Sequence, residues 1–352
     1  MYKPIVCLFI SLNALFSSFI SVKAQIDGFI DIHNSSLYRL INQDDLDGLN
    51  QDSVPVNIRQ LKNLRTRLMV FSIGIPFLGS KNTDTLKIND IISFFNQFKG
   101  HYSRDLQFVQ NKKEFKEAKK ADKIPYCFAL EGTHLLKGDL RWIDSLYNSG
   151  VRIITLGHWF QNEFVVSPDD ILYLNKKPVF LNNQSILSPK GKELLFKMAE
   201  TGIALDLSHL PEKLMQEIMD LKIPKLPILA SHSNAYSVYP TARNLKDEQI
   251  RMIVKQKGLI GICLHQSLIG EKVEDNLNKL TQHILHIIKT GGKKHISIGT
   301  DYEGGIKPPS ELKNLENMRI LYDELRKQGF SKKTIQNLFW KNAYRYLKKR
   351  IL

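Results

Sequence analysis

The stretch from Ile203 to Asn234 constrains the fold more than any other part of the chain. Two short apolar runs, Ile203–Leu207 and Pro227–Ala230, each stop at a Ser-His pair, Ser208-His209 and Ser231-His232. Between them Leu214, Ile218 and Leu221 recur at helical spacing, so the stretch reads strand–helix–strand, the unit of a parallel sheet. Strands joined in this way point in one direction. Both histidines are therefore expected at the same C-terminal rim, where the sites of such folds lie. Two neighbouring imidazoles there suit a pair of metal ligands, because neutral imidazole is the commonest protein ligand for zinc-like ions. The same runs also fit two polar residues leaving a sheet for solvent.

Six further apolar runs repeat the pattern. Phe29–Ile32 leads into His33-Asn34-Ser35, and Leu68–Ile75 stops at Pro76. Ile124–Leu130 ends at Glu131-Gly132, and Val151–Leu156 ends at Gly157-His158. Leu259–Leu264 ends at His265, and His295–Thr300 ends at Asp301. Helical spacing marks Leu86–Phe98, the lysine-rich run after Asn111, Leu140–Tyr147, about Lys190–Thr201, Leu245–Gln256 and Asn276–Thr290. Ser188-Pro189 suits a helix start, and the tail from Leu312 to Leu347 reads as two helices broken at Gly329 with Ser331 as the next N-cap. A long loop with Pro168, Asp169, Asp170 and Asn182-Asn183 has the length of a functional lid. Eight strand runs separated mostly by helices, without repeats or an interdomain linker, predict a (β/α)8 TIM barrel of the α/β class in a single domain. A doubly wound open sheet is the runner-up, but no Gly-rich phosphate loop follows the first strand.

The length of 352 residues suits one such barrel. Lys3 precedes a largely apolar run, Ile5–Ile20, and Val22-Lys23-Ala24 has the spacing of a signal-peptidase site. Residues 1–24 are therefore expected to be a signal peptide and 25–352 the mature barrel, exported to the periplasm or beyond the cell. An uncleaved anchor is the alternative, although Asn13 interrupts the run and it is short for a span. No later segment has the length and apolarity of a transmembrane helix. Cys127 and Cys263 sit inside apolar runs and read as buried free thiols; Cys7 falls in the leader. The net charge of +15 resides largely in lysine clusters such as Lys112–Lys123, where Glu114 and Glu117 alternate as on a solvated helix face. Without aromatic interleaving or a reader motif, this charge does not indicate nucleic acid.

A barrel gathers His33, Glu131, His158, His209, His232 and Asp301 around one mouth. Four imidazoles and two carboxylates fit a hydrolytic zinc site, with two ions about 3.5–4 Å apart sharing a carboxylate as one arrangement.

From about Asp27 to Leu347 the sequence resembles the membrane (renal) dipeptidase family, zinc metallopeptidases of the amidohydrolase-type barrels. Asp31-Ile32-His33-Asn34-Ser35 is similar to the family's Asp-Gly-His-Asn-Asp, and Leu130-Glu131-Gly132-Thr133-His134 to its Glu-Gly-Gly-His. Gly150-Val151-Arg152 through Leu156-Gly157-His158 resembles Gly-Val-Arg…Leu-Thr-His. Asp206-Leu207-Ser208-His209, Ser231-His232-Ser233-Asn234-Ala235 and Arg243-Asn244-Leu245 also match, and Ile298–Gly304 is similar to Ile-Gly-Ser-Asp-Phe-Asp-Gly.

The resemblance implies that Glu131 bridges two zinc ions, with His209 and His232 completing one site and His33 belonging to the other. It implies that Asp301 handles the proton, that His158 steadies the tetrahedral oxyanion, and that Arg243 holds the substrate's terminal carboxylate through its bidentate fork. Ser35 departs from the pattern, standing where the family has an aspartate ligand of the first metal. A neutral hydroxyl is a poor zinc ligand, so one tightly held ion and a second, weak one are expected. Asp31 aligns with the motif's opening aspartate and does not replace that ligand. His134, His265, His283, His286 and His295 read as supporting, packed or exposed, and His101 as exposed.

The expected activity is metal-dependent hydrolysis of small dipeptides with a free C-terminal carboxylate. The alternatives are a related amidohydrolase acting on another amide or lactone, and a catalytically weak binding protein that kept the pocket. A small dipeptide is the expected partner, nucleic acid is not, and a homodimer is compatible with the reading.

Overall fold

The structure, a computed structural model, describes residues 26–74, 87–166, 181–271 and 275–350. The expected leader with its cleavage site, Pro76, Leu86 and Pro168–Asp170 lie outside these residues.

The eight apolar runs form eight parallel strands: β1 (Phe29–Asn34), β2 (Thr66–Gly74), β3 (Ile124–Glu131), β4 (Val151–Thr155), β5 (Ala204–Asp206), β6 (Ile228–Ala230), β7 (Leu259–Ile262) and β8 (Ile296–Ile298). Each pairs with the next, and Asp31 of β1 opposite Ile298 of β8 closes the ring. The fold is a (β/α)8 barrel in a single domain. All the strand residues are buried except Arg67, which is half-buried. Burial on both faces is why these strands read as continuous apolar runs rather than alternating ones. Strand register sets the level of the rim. Gly74 lies opposite Glu131, Glu131 opposite Thr155, and Thr155 opposite Asp206, which places four neighbouring strand ends at one height.

Packing between strands and helices is aromatic on one side of the barrel. Phe95, from the helix Ile88–His101, stacks on Phe128 with ring centroids 4.0 Å apart. Arg152 on β4 is fully buried, yet it belongs to the wall rather than to the site. Its Nη1 donates to the carbonyls of Tyr147 (2.7 Å) and Val151 (2.9 Å), and its guanidinium lies 3.9 Å from the Tyr147 ring centroid. Ser188 caps the helix Pro189–Thr201 by accepting the Gly191 N–H at 3.0 Å, and Ser331 caps Lys332–Gln336 through the Thr334 N–H at 3.2 Å. The lysines of the helix Lys112–Lys120 are exposed, while Phe115 and Ala118 face inward. Cys127 and Cys263 are free and buried.

Several elements go beyond the sequence reading. Helices Ser36–Gln43 and Ile58–Asn63 occupy the connection from β1 to β2, and Leu106–Phe108 adds an outer strand beside β3. An antiparallel pair, Val165–Val166 with Ile186–Leu187, stands at the described ends of the long loop. The tail forms helices Met318–Lys327 and Lys332–Gln336, a π turn at Asn337–Lys341, and the helix Asn342–Arg350. No helix among the described residues is long and apolar enough to cross a membrane.

Candidate metal centre and substrate cavity

The strand ends bring the expected polar residues together. Oε1 of Glu131 lies 3.6 Å from His33 Nε2, 3.2 Å from His209 Nε2 and 3.3 Å from His232 Nε2. His209 Nε2 and His232 Nε2 are 2.9 Å apart, and His33 Nε2 is 3.8 Å from Asp301 Oδ1. Two overlapping groups have the spacing of metal ligands: His33, Glu131 and His232, and Glu131, His158 and His209. Glu131 belongs to both, as a bridging carboxylate must. The resemblance groups His209 with His232. Their nitrogens are indeed adjacent, but His232 also stands beside His33, with ring centroids 3.9 Å apart.

Backbone geometry aims these groups. His209 and Asp301 hold positive φ of 69° and 60°, a conformation costly for residues other than glycine and often retained at functional sites. Asp31 ties β1 to β8: its Oδ1 accepts the N–H of Thr300 (2.9 Å) and of His33 (3.2 Å), and its Oδ2 accepts the Thr300 hydroxyl (2.5 Å). This clamp fixes the turn that carries Asp301 against the one that carries His33. Burial pushes the Asp31 carboxyl up to about 6.

The electrostatics suit a cation. Burial drives His209 and His232 well below the usual imidazole range, which leaves them in the neutral form that binds metals. Burial also opposes charge on His33, but the Glu131 and Asp301 carboxylates prevail and raise it to about 9, so without an ion a proton on His33 answers the negative charge that a cation there would answer instead. Burial acts against the ionised form of Glu131 too, yet His158 and His33 hold it well below the carboxylate range. Among the described residues His33 Nε2 and Glu131 Oε1 are buried with no hydrogen-bond partner. Orphaned buried polar atoms are costly, and a divalent ion between them would satisfy both. Imidazole nitrogens with a carboxylate oxygen are a zinc-type donor set, so the residues fit the metal.

A cavity of about 540 Å³ opens above this cluster, with Glu131, His158, His209, Asp301 and Arg243 in its wall. Arg243 makes no ion pair among the described residues, and its charge acts on His209 and His232. Ser35 also lines the cavity, where its Oγ donates to Asp301 Oδ1 at 3.3 Å. Burial raises the Asp301 carboxyl to about 7, with Glu131 adding and His33 and Arg243 opposing. Glu303 pairs with Arg39 at 3.1 Å and joins neither ligand group.

The other histidines fall away from the ligand groups. His134 Nε2 donates to the Phe160 carbonyl at 3.2 Å, and His283 joins the Ala235 N–H (3.1 Å) to the Ile269 carbonyl (3.0 Å). His101 pairs with Asp47 at 3.0 Å, His286 with Asp247 at 2.7 Å, and His295 with the Gly258 carbonyl at 2.7 Å. His265 lines the cavity. The sequence reading gave no role to Asp206 or Ser231, or to the cavity residues Tyr38, Trp159 and Ile306. For Asp206 the available signal is a carboxylate inside an apolar run, and for Ser231 a hydroxyl directly ahead of a histidine.

Residues 20–350 match the membrane dipeptidase family, peptidase family M19. The chain belongs to this family. An uncharacterised dipeptidase of Schizosaccharomyces pombe is 29% identical over 252 residues, 70% of this chain and 58% of that protein. A second from the same organism is 27% identical and is covered over 53% of its length. The chain thus spans little more than half of each of these curated relatives. The crystal structure of an M19 metallopeptidase described as dipeptidase AC superposes with a TM-score of 0.76 at 20% identity, covering 93% of this chain and 99% of that one. A metallopeptidase from Rhodobacter sphaeroides, liganded with a phosphinate mimic of the dipeptide L-Ala-D-Ala, gives 0.74 at 20% identity, covering 92% and 99%. At such identity these neighbours bear on the fold alone.

Proposed function

We propose that the chain is a zinc-dependent dipeptidase that hydrolyses small dipeptides bearing a free C-terminal carboxylate. One observation carries the reading. A cluster of buried imidazoles converges on a single oxygen of Glu131 at the floor of a cavity whose wall also presents the cation Arg243. His33, Glu131, His209 and His232 would hold the metal. When bound, it would supply an acidified water and polarise the scissile carbonyl.

The chain's own residues do the rest. Arg243 binds the substrate's terminal carboxylate and so sets which amide reaches the centre. Asp301, whose carboxyl is raised by burial, accepts the proton of the attacking water and returns it to the departing amine. His158 donates to the tetrahedral oxyanion. Ser35 removes one carboxylate from the half of the centre built on His33, which favours unequal occupancy. The same departure supports the second reading, a binding protein of low activity. We place the mature protein outside the cytoplasm, on the strength of the leader-like residues 1–24.

A panel of dipeptides and their C-terminal amides, assayed with added zinc, tests the proposal. Cleavage of the free acids but not of the amides is expected. Equal cleavage of both would favour the broader amidohydrolase reading, and no cleavage of either would favour the binding protein. A phosphinate dipeptide mimic, the ligand class of the Rhodobacter sphaeroides neighbour, should compete with the free acids.

A further inference from the structure

We propose that Ser231 is a positioning residue shared by both halves of the metal centre: its hydroxyl sets the tautomers of His33 and His232 together, and Asp206 sets the direction in which that hydroxyl donates. The inference rests on the metal-centre reading of the proposed function.

A serine hydroxyl has one proton to give and two lone pairs to receive with. Ser231 Oγ lies 2.5 Å from Asp206 Oδ2, 2.7 Å from His232 Nδ1 and 3.0 Å from His33 Nδ1. The carboxylate can only accept, so the hydroxyl proton points to Asp206 along the shortest contact. Both lone pairs then face imidazole nitrogens, and each of those nitrogens must carry a proton. His33 and His232 are thereby held as Nδ1–H donors, with both Nε2 atoms aimed at Glu131 Oε1. One hydroxyl thus orients two ligands that come from different strands.

The surroundings allow no easy reversal. Asp206 Oδ1 accepts the N–H of Ser208 (3.0 Å) and of Ser231 (2.8 Å), and Oδ2 also accepts the Thr155 hydroxyl at 3.1 Å. Ser208 Oγ stands farther off, 3.4 Å from Ser231 Oγ, and accepts the His232 N–H at 3.1 Å. The Ser231 carbonyl is packed against Gly261 and Gly299, where an added Cβ on either would collide with it. Partners of this kind fix ligand orientation and commonly govern metal affinity.

Asp206→Asn is the sharpest test because it keeps size and shape. The two backbone N–H groups require the amide oxygen at the Oδ1 position, which leaves the NH2 facing Ser231 Oγ. The serine must then accept from Asn, which leaves one lone pair for two imidazole N–H groups, so at least one ring loses its partner or its tautomer whether the serine proton turns to an imidazole or to Ser208 Oγ. Zinc affinity of the full-length chain, measured by competition with a chromophoric chelator, should fall about 10–100-fold in Asp206→Asn and in Ser231→Ala. Nitrogen-15 spectra of the unaltered, zinc-loaded protein should show His33 and His232 protonated at Nδ1, a readout that needs no altered protein to fold. Unchanged affinity in Asp206→Asn would overturn the relay while leaving the metal centre intact, and either ring protonated at Nε2 would overturn the relay together with that ring's place as a ligand. An unaltered protein that binds no zinc would overturn both.

Discussion

Ser35 Oγ donates to Asp301 Oδ1 at 3.3 Å, so the residue expected from the resemblance to stand in place of a metal-binding aspartate touches the carboxylate proposed to transfer the proton. Asp301 in turn lies 3.8 Å from His33 Nε2, and an aspartate at position 35 would put a second carboxylate at this edge of the centre. The unaltered protein is expected to keep one zinc equivalent through mild dialysis, and Ser35→Asp to keep two. The added carboxylate also repels Asp301 and Glu131 when no ion is bound, so zinc should raise the melting temperature of Ser35→Asp more than that of the parent. Metal analysis after dialysis decides the point: two equivalents in the unaltered protein would show that Ser35 does not weaken the site.

Arg243 stands in the cavity wall without an ion pair among the described residues. Lysine keeps the charge there but loses the bidentate fork. Arg243→Lys should cost about 1.5–3 kcal/mol in kcat/KM for a dipeptide, and far less for the same substrate amidated at its C-terminus. Equal losses on the two substrates would give Arg243 some other role.

The barrel is legible in the sequence because strands buried on both faces leave apolar runs, and because functional groups crowd the ends of those runs. Glu131 and His158 could be placed this way without knowledge of which helix packs where. Helices Ser36–Gln43 and Ile58–Asn63 were not legible: each is short, and Ser36–Gln43 buries only Ser36, Leu37 and Leu40. Leu106–Phe108 is too short to show a strand pattern. Asp206 and Ser231 are harder still. Each looks like a stray polar residue, and their partnership exists only because β5 and β6 lie side by side in the register that sets Asp206 opposite Leu229. Pairing across strands is a property of the closed sheet and leaves no local trace.

His283 is buried between the Ala235 N–H and the Ile269 carbonyl, and burial pushes its pKa down to about 4. In the unfolded chain it titrates near 6.5, so between these values the unfolded state binds the extra proton. The contribution to stability is complete above about 6.5 and is lost as pH falls through about 4, on the order of 3 kcal/mol in all. His134, likewise lowered to about 4, adds to the same window. His283→Gln retains an acceptor and a donor but does not titrate, so its denaturant midpoint should fall less between pH 6.5 and 4 than the parent's. Parallel pH profiles would show that His283 does not contribute.

The leader-like start calls for export and cleavage after Ala24. Amino-terminal sequencing of protein recovered outside the cytoplasm should begin at Gln25. Met1 on a protein retained inside the cell would remove the proposed location without touching the site.

Zinc equivalents per chain, measured on the same sample in which hydrolysis of an unblocked dipeptide is followed before and after chelation, bear most directly on the account. At least one equivalent per chain is expected, with hydrolysis lost on chelation and restored by zinc. No bound metal, together with no hydrolysis after zinc is added, would contradict the assignment of His33, Glu131, His209 and His232 as a catalytic metal centre.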